Sequence, residues 1–171
     1  QHTLYGAIED THHGFSVTIA TDGQHVTQIT PGFHRIPFST CDGAGKPLQN
    51  LIGAALTDTP LALLTRAGAQ QNCTHLLDLA VLTICHSQTV EHEVQYDVAV
   101  TDTKDGRNHL TVHRNGQLIH QWLVNSHYEI LEPAELAGKP LFIGFSAWAN
   151  AQFSGIDNEA AFVLQKGNMV S

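Results

Sequence analysis

Cations are scarce in this sequence. Eight Lys and Arg stand against sixteen Asp and Glu, a net charge of −8 with the histidines neutral. The eight are scattered. Nucleic-acid binding draws on clustered cations that displace counterions, and a polybasic membrane anchor draws on the same clusters, so neither nucleic acid nor a membrane is an expected partner. Charge of either sign is thin at 14%, against about a quarter in an average domain. The polar surface therefore falls to Thr, Gln, Asn and His. Such a surface tolerates apolar pockets and self-association, and a homo-oligomer is the expectation. Cys41, Cys73 and Cys85 are too few, and odd in number, for a disulfide framework, which favours a reducing, cytoplasmic setting. No apolar run approaches transmembrane length, and no signal-peptide pattern is present. A start at Gln1 is that of a trimmed or processed chain and leaves room for an upstream targeting or pro-segment. Nucleotide-binding glycine loops are absent, Gly43-Ala44-Gly45-Lys46 being too short for one. There is no Gly-x-Ser-x-Gly elbow either. No cofactor is expected.

What remains suits a packed core: 42% hydrophobic residues in a chain of 171. Phe15, Val17 and Ile19 alternate with small polar residues, Asp22-Gly23 signals a turn, and Val26 to Ile29 follow, predicting a hairpin over 14–30. Lys46-Pro47 opens a helical block carried by Leu48, Leu51, Ile52 and Leu56, and Thr59-Pro60 opens another short apolar stretch. Residues 72–86 give the clearest helix, capped by Asn72 and almost wholly apolar from Leu76 to Ile84. Val94, Tyr96, Val98 and Val100 then alternate. Asp105-Gly106 and Asn115-Gly116 supply two turns, and together these residues predict a three-stranded meander. A short strand is expected at 141–145, and a final amphipathic helix at 156–166, stopped by Gly167. The reading is one α+β domain over 1–171. A single antiparallel sheet, hairpin plus meander, has its helices packed on one face.

Twelve histidines are the compositional anomaly. Most are expected to be neutral polar surface, but histidine is also the side chain suited to proton transfer near neutrality and to metal binding. In Cys73-Thr74-His75-Leu76-Leu77-Asp78, His75 and Asp78 are three apart and share a helix face. A carboxylate beside an imidazole fixes its tautomer and prepares it for acid–base work. The alternative is that both only satisfy backbone groups at the helix start. Cys73 is a weaker nucleophile candidate, because adjacent helical side chains diverge.

The run His34-Arg35-Ile36-Pro37-Phe38-Ser39-Thr40-Cys41, followed by Gly43-Ala44 and Pro47-Leu48, and the block Cys73-Thr74-His75-Leu76 with Asp78-Leu79-Ala80, resemble a bacterial family of unknown function, number 2889 of its series. Residues 96–102, Asn115-Gly116, Gly144-Phe145 and Trp148-Ala149 look similar as well. The resemblance carries no activity. It implies that Arg35, Cys41, Cys73, His75 and Asp78 occupy family motif positions.

A second constellation follows from turn geometry. Two-residue loops at both Asp-Gly and Asn-Gly set Val98 opposite His113, Val100 opposite Thr111, His113 opposite Leu118, Thr111 opposite His120 and His109 opposite Trp122. One face would then join Val98, Val100, Leu118 and Trp122 to His109, His113 and His120, a small-molecule pocket wall or else a solvated polar face. A single bulge would invert it. Metal is not expected. No Cys-x-x-Cys is present, and His109 and His113 would lie roughly 13 Å apart along a strand.

By elimination, the functional expectation is a cofactor-independent lyase or isomerase acting on a small, mostly apolar, oxygen-bearing molecule such as a terpenoid epoxide or an aromatic-catabolism intermediate. His75 is the acid–base residue and Asp78 its orienting partner, with His34 or Arg35 polarising the oxygen. Cys41, Cys73, Val98, His113, His120 and Trp122 line the substrate. The rivals are a non-catalytic small-ligand binder and an oligomeric interaction module.

Overall fold

The protein was studied as a computed structural model that describes residues 2–169. It is α+β, as expected, but with two antiparallel sheets of three and four strands in place of one. The chain divides into two compact units, Gln1–His92 and Glu93–Ser171, and each sheet belongs to one of them.

In the first unit β1 (His2–Glu9), β2 (Gly14–Thr21) and β3 (Val26–Arg35) pair in chain order. The hairpin of β2 and β3 is the expected one, except that β3 runs on through Pro31 and Gly32 to Arg35. β1 was not anticipated, because its inward positions are Leu4, Gly6 and Ile8, and the central one has no side chain to mark the alternation. Gly6 is where a helix comes closest: a Cβ there would lie 2.2 Å from Thr83 Oγ1 and 3.2 Å from Leu79 Cδ1. That helix, α2 (Thr74–His86), packs on β1 and β2. Its Leu76, Leu77, Ala80 and Ile84 are buried with Phe15, Val17 and Ile19 of the sheet.

Two sequence expectations shift here for local reasons. The helix expected from Lys46 is only a 3-10 turn, Pro47–Leu51. Beyond it Gly53 N–H donates to Val26 O, and Val26 N–H donates to Ala54 O. Pairing with the start of β3 thus draws the chain out of helical geometry. Asn72 does not cap α2. Its side-chain amide donates backwards to Ala67 O and Gly68 O, closing the end of α1 (Pro60–Ala67), and Cys73 takes the cap position. The start of α1 is as read: Thr59 accepts from Ala62 N–H and Pro60 opens the first turn.

In the second unit β4 (Tyr96–Val100), β5 (Arg107–Arg114), β6 (Gln117–Asn125) and β7 (Ile130–Glu132) form a meander of four strands. Residues 141–144 are not a strand; they lead into α3 (Phe145–Gln152). α4 (Gly155–Met169) packs on β4, β5 and β6. Leu110, Val112, Trp122, Val124 and Leu164 are each at most 1% exposed in the core between them.

The register corrects the second constellation. Asp105-Gly106 and Asn115-Gly116 are two-residue turns in which all four residues have positive φ, and Lys104 pairs with Arg107 as counted. The ladder then slips by one residue. Val100 pairs with Leu110 and Val98 with Val112, so His113 falls opposite Asp97. At the slip the Thr101 hydroxyl accepts from His109 N–H, and the Asn108 amide donates to Thr101 O, replacing ladder bonds with side-chain ones. A second irregularity places Ile119 as an extra residue: His113 opposes Leu118, but Val112 opposes His120 and Leu110 opposes Trp122. The slip turns Leu110 and Val112 into the core. His113 and Leu118 lie on the face away from Val98. Of the three meander histidines, only His120 shares the face of Val98 and Trp122.

Gly167 does not stop α4. A Cβ at Gly167 would lie 2.5 Å from Val98 Cγ1, so glycine here permits helix and strand to touch. Gly167→Ala is expected to destabilise the protein by about 1–3 kcal/mol through overpacking, and Val98→Ala should recover part of that loss in the double variant. Thermal unfolding of the four-member cycle checks this. Simple additivity of the two losses would show that the contact is not the cause.

Candidate functional site

The sequence-predicted residues are divided between the units: His34, Arg35, Cys41, Cys73, His75 and Asp78 in the first, Val98, His113, His120 and Trp122 in the second. Titratable groups from separate segments converge in the first unit.

The construction begins at the turn between β1 and β2. Glu9 pairs with Gly14, leaving the loop Asp10-Thr11-His12-His13, closed by Asp10 N–H donating to His13 O at 2.9 Å. The Asp10 carboxylate folds back on its own loop and accepts the amides of His12 and His13, both at 2.7 Å, the local bond that makes Asp a turn residue. The His13 ring then donates from Nδ1 to the same carboxylate, 2.9 Å from Oδ2. Burial by itself would push the Asp10 carboxyl up; the two amides and the His13 ring outweigh it and hold the carboxyl below its usual range. Arg35 clamps the loop from β3, its guanidinium donating to Asp10 O and pairing with Glu9 Oε1 at 2.6 Å.

The other half of the site comes from the first turn of α2. The His75 ring stacks on that of His13, centroids 4.3 Å apart and planes 26° apart. Both imidazoles lie against buried Phe15, at 5.4 and 6.4 Å. Cys73 Sγ lies 4.0 Å from His75 Nδ1. Asp10, His13 and His75 each place one donor atom within 4.8 Å of the others, and all three are half-buried. Two open clefts, of about 410 and 380 Å³, are lined by none of Asp10, His13 and His75.

Against the sequence reading, His75 is at the site and Asp78 follows it three residues later on α2. The expectation that His34 or Arg35 polarises an oxygen has a different setting: His34 Nε2 is 2.9 Å from Ser16 Oγ, and Arg35 is engaged by the loop. Cys41 lies in a separate 3-10 turn, Ser39–Gly45. Asp10 and His13 were missed. Their signal was available, an Asp and a His three apart, the same spacing that singled out His75 and Asp78, but placed in a loop that joins a strand not foreseen.

The second unit holds two polar clusters. His120 donates from Nε2 to Asp157 O at 2.7 Å and packs against Trp122 and Phe153, so one ring nitrogen is committed to the backbone. The Tyr96 hydroxyl donates to the Glu159 carboxylate and accepts from Arg114 Nε at 3.1 Å.

Residues 7–88, just under half of the chain, match the model of a family described as "Protein of unknown function (DUF2889)". The match is to the family that the sequence resembles, and it spans both the run at 34–41 and the block at 73–80. The later similarities, from residue 96 onward, lie outside the match. No curated protein and no solved structure matches the chain. Among the described residues no helix is long and apolar enough to cross a membrane.

Burial, with the charge of Glu159, raises the Tyr96 phenol above its usual value, while Arg114 acts in the opposite sense. The folded chain then holds this proton where the unfolded chain has lost it. The contribution is complete below the unfolded value of about 10 and declines as pH rises through the folded one. Urea midpoints of wild type and Tyr96→Phe should therefore converge between pH 8 and pH 11. Parallel lines across that range would show that the phenol does not titrate in this way.

Proposed function

We propose that the first unit carries the active site of a small-molecule lyase or isomerase needing no cofactor, centred on Asp10, His13 and His75. The observation behind this reading is the stacking of an Asp-bound imidazole on a second imidazole against the Phe15 ring. Asp10 accepts the hydrogen bond of His13 Nδ1–H and so fixes the tautomer that leaves Nε2 as an acceptor. His13 is then the base that removes a proton from carbon, and Asp10 its positioning residue. His75, on a rigid helix, delivers a proton to the substrate oxygen. An acid and a base side by side are what elimination, epoxide opening or double-bond migration requires, and the aromatic neighbour favours a small, mostly apolar, oxygen-bearing molecule such as a terpenoid epoxide. Asp78, three residues beyond His75, is the alternative orienting group. The odd, small cysteine count and the low charge of the sequence are what favour a cytoplasmic setting and a homo-oligomer in this reading.

The test is turnover per folded molecule on a panel of small terpenoid epoxides and unsaturated lactones. His13→Ala, Asp10→Asn and His75→Ala should each lower turnover by about 10²-fold or more, and the Asp10 and His13 losses should not add, because the two act as a unit. Full activity in Asp10→Asn with loss in Asp78→Asn would move the dyad onto α2. Ligand binding without turnover in the wild type would make the protein a binder.

A further inference from the structure

We propose that Asp10, His13 and His75 also form a binding site for one divalent transition-metal ion of the zinc class. The site is the one described above, but this proposal does not depend on turnover. Two imidazoles and a carboxylate are the nitrogen and oxygen donor set that zinc, cobalt and nickel share. Sequence spacing gave no hint of it, because the ligands come from a hairpin turn and from the first turn of a helix. The three donor atoms already lie within 4.8 Å of one another. Closing on an ion with bonds of about 2.0–2.2 Å takes side-chain rotation rather than backbone rearrangement.

Support for the ligands is in place. The Asp10 carboxylate is oriented by the amides of His12 and His13, Arg35 holds the Asp10 carbonyl, and His75 rises from a helix packed on the sheet. Such outer contacts orient ligands and are part of a metal site. Arg35 reaches the backbone oxygen and Glu9, leaving the Asp10 carboxylate to the histidines. On binding, the ion takes the place of the proton between His13 Nδ1 and Asp10, and the imidazole carries its proton on Nε2 instead, as the other neutral tautomer. Three protein ligands leave at least one position for water. An ion there leaves His13 Nε2 protonated and occupies a His75 ring nitrogen, so it would inhibit that chemistry rather than drive it.

The experiment is a titration of the full chain, stripped with chelator and desalted, with Zn²⁺ against a chromogenic chelator and with Co²⁺ followed by its visible absorption. One equivalent per chain is expected. His75→Ala and Asp10→Asn should each weaken zinc binding by about 100-fold or more, at the upper end of what disturbing a ligand shell costs. Exposed His127 serves as control, and His127→Ala should leave affinity unchanged. Circular dichroism checks folding, and His75→Gln replaces His75→Ala if the latter does not fold. Absence of stoichiometric binding, or binding that survives both His75 and Asp10 substitutions, overturns the proposal. Zinc binding without turnover on any panel substrate upholds the metal site and removes the enzymatic reading; turnover without zinc binding does the reverse.

Discussion

The close approach of α2 to β1 at Gly6 is the constraint on which the first unit depends. A side chain at that position would collide with Thr83 and Leu79. Without one, the helix settles onto β1 and β2, and its apolar face buries Leu76, Leu77, Ala80 and Ile84. The same contact determines where the first turn of α2 lies, and His75 is in that turn. Its ring comes to rest on His13, at the other end of β1 from the amino terminus. Packing of apolar groups thus brings two imidazoles together, and such packing, being non-directional, would not by itself choose their partners. The choice is made by Asp10. Its carboxylate is satisfied by its own loop, and it has a lone pair left for the His13 ring.

Much of this was legible. The hairpin of β2 and β3, the helix around 74–86, the start of α1, the final helix and both Asx-Gly turns of the meander carry strong local signals, and all are present. The misreadings have separable causes. β1 was invisible because Gly6 interrupts its alternation. Gly167 resembled a helix stop because glycine commonly is one, whereas here it accommodates Val98. In both cases glycine marks an approach between helix and strand, a tertiary reason that local propensity does not contain.

The meander shows a different limit. Each turn was placed correctly and the register still failed, since a slip at Thr101 and an extra residue at Ile119 intervene. Side-chain alternation has a period of two, so one extra residue moves every later side chain to the other face. Had the count held, Leu110 and Val112 would have faced away from α4 and His113 would have entered the core. The cost of burying an imidazole there, and of exposing two aliphatic side chains, far exceeds that of one bulge. Burial summed across the whole sheet, rather than the count from its turns, distinguishes the slipped register from the unslipped one.

The site itself was half legible for the same reason. His75 stood out because a polar group near the start of an apolar helix is conspicuous. His13 did not, because in a polar loop a histidine is ordinary. What changes its standing is position: the loop closes over the helix start, and the Asp10 carboxylate organises it from within. The family match, residues 7–88, contains Asp10, His13, Arg35 and His75 together and ends just beyond α2, so every residue of the cluster lies within it. The second unit, by contrast, commits these polar groups to internal bonds: His120 to the backbone at Asp157, and Tyr96 between Glu159 and Arg114. Those bonds join strand to helix and leave the rings little freedom to meet a ligand. Chemistry is better placed where polar atoms converge on a surface shared by a turn and a helix end than where they are consumed in holding a sheet to its helix.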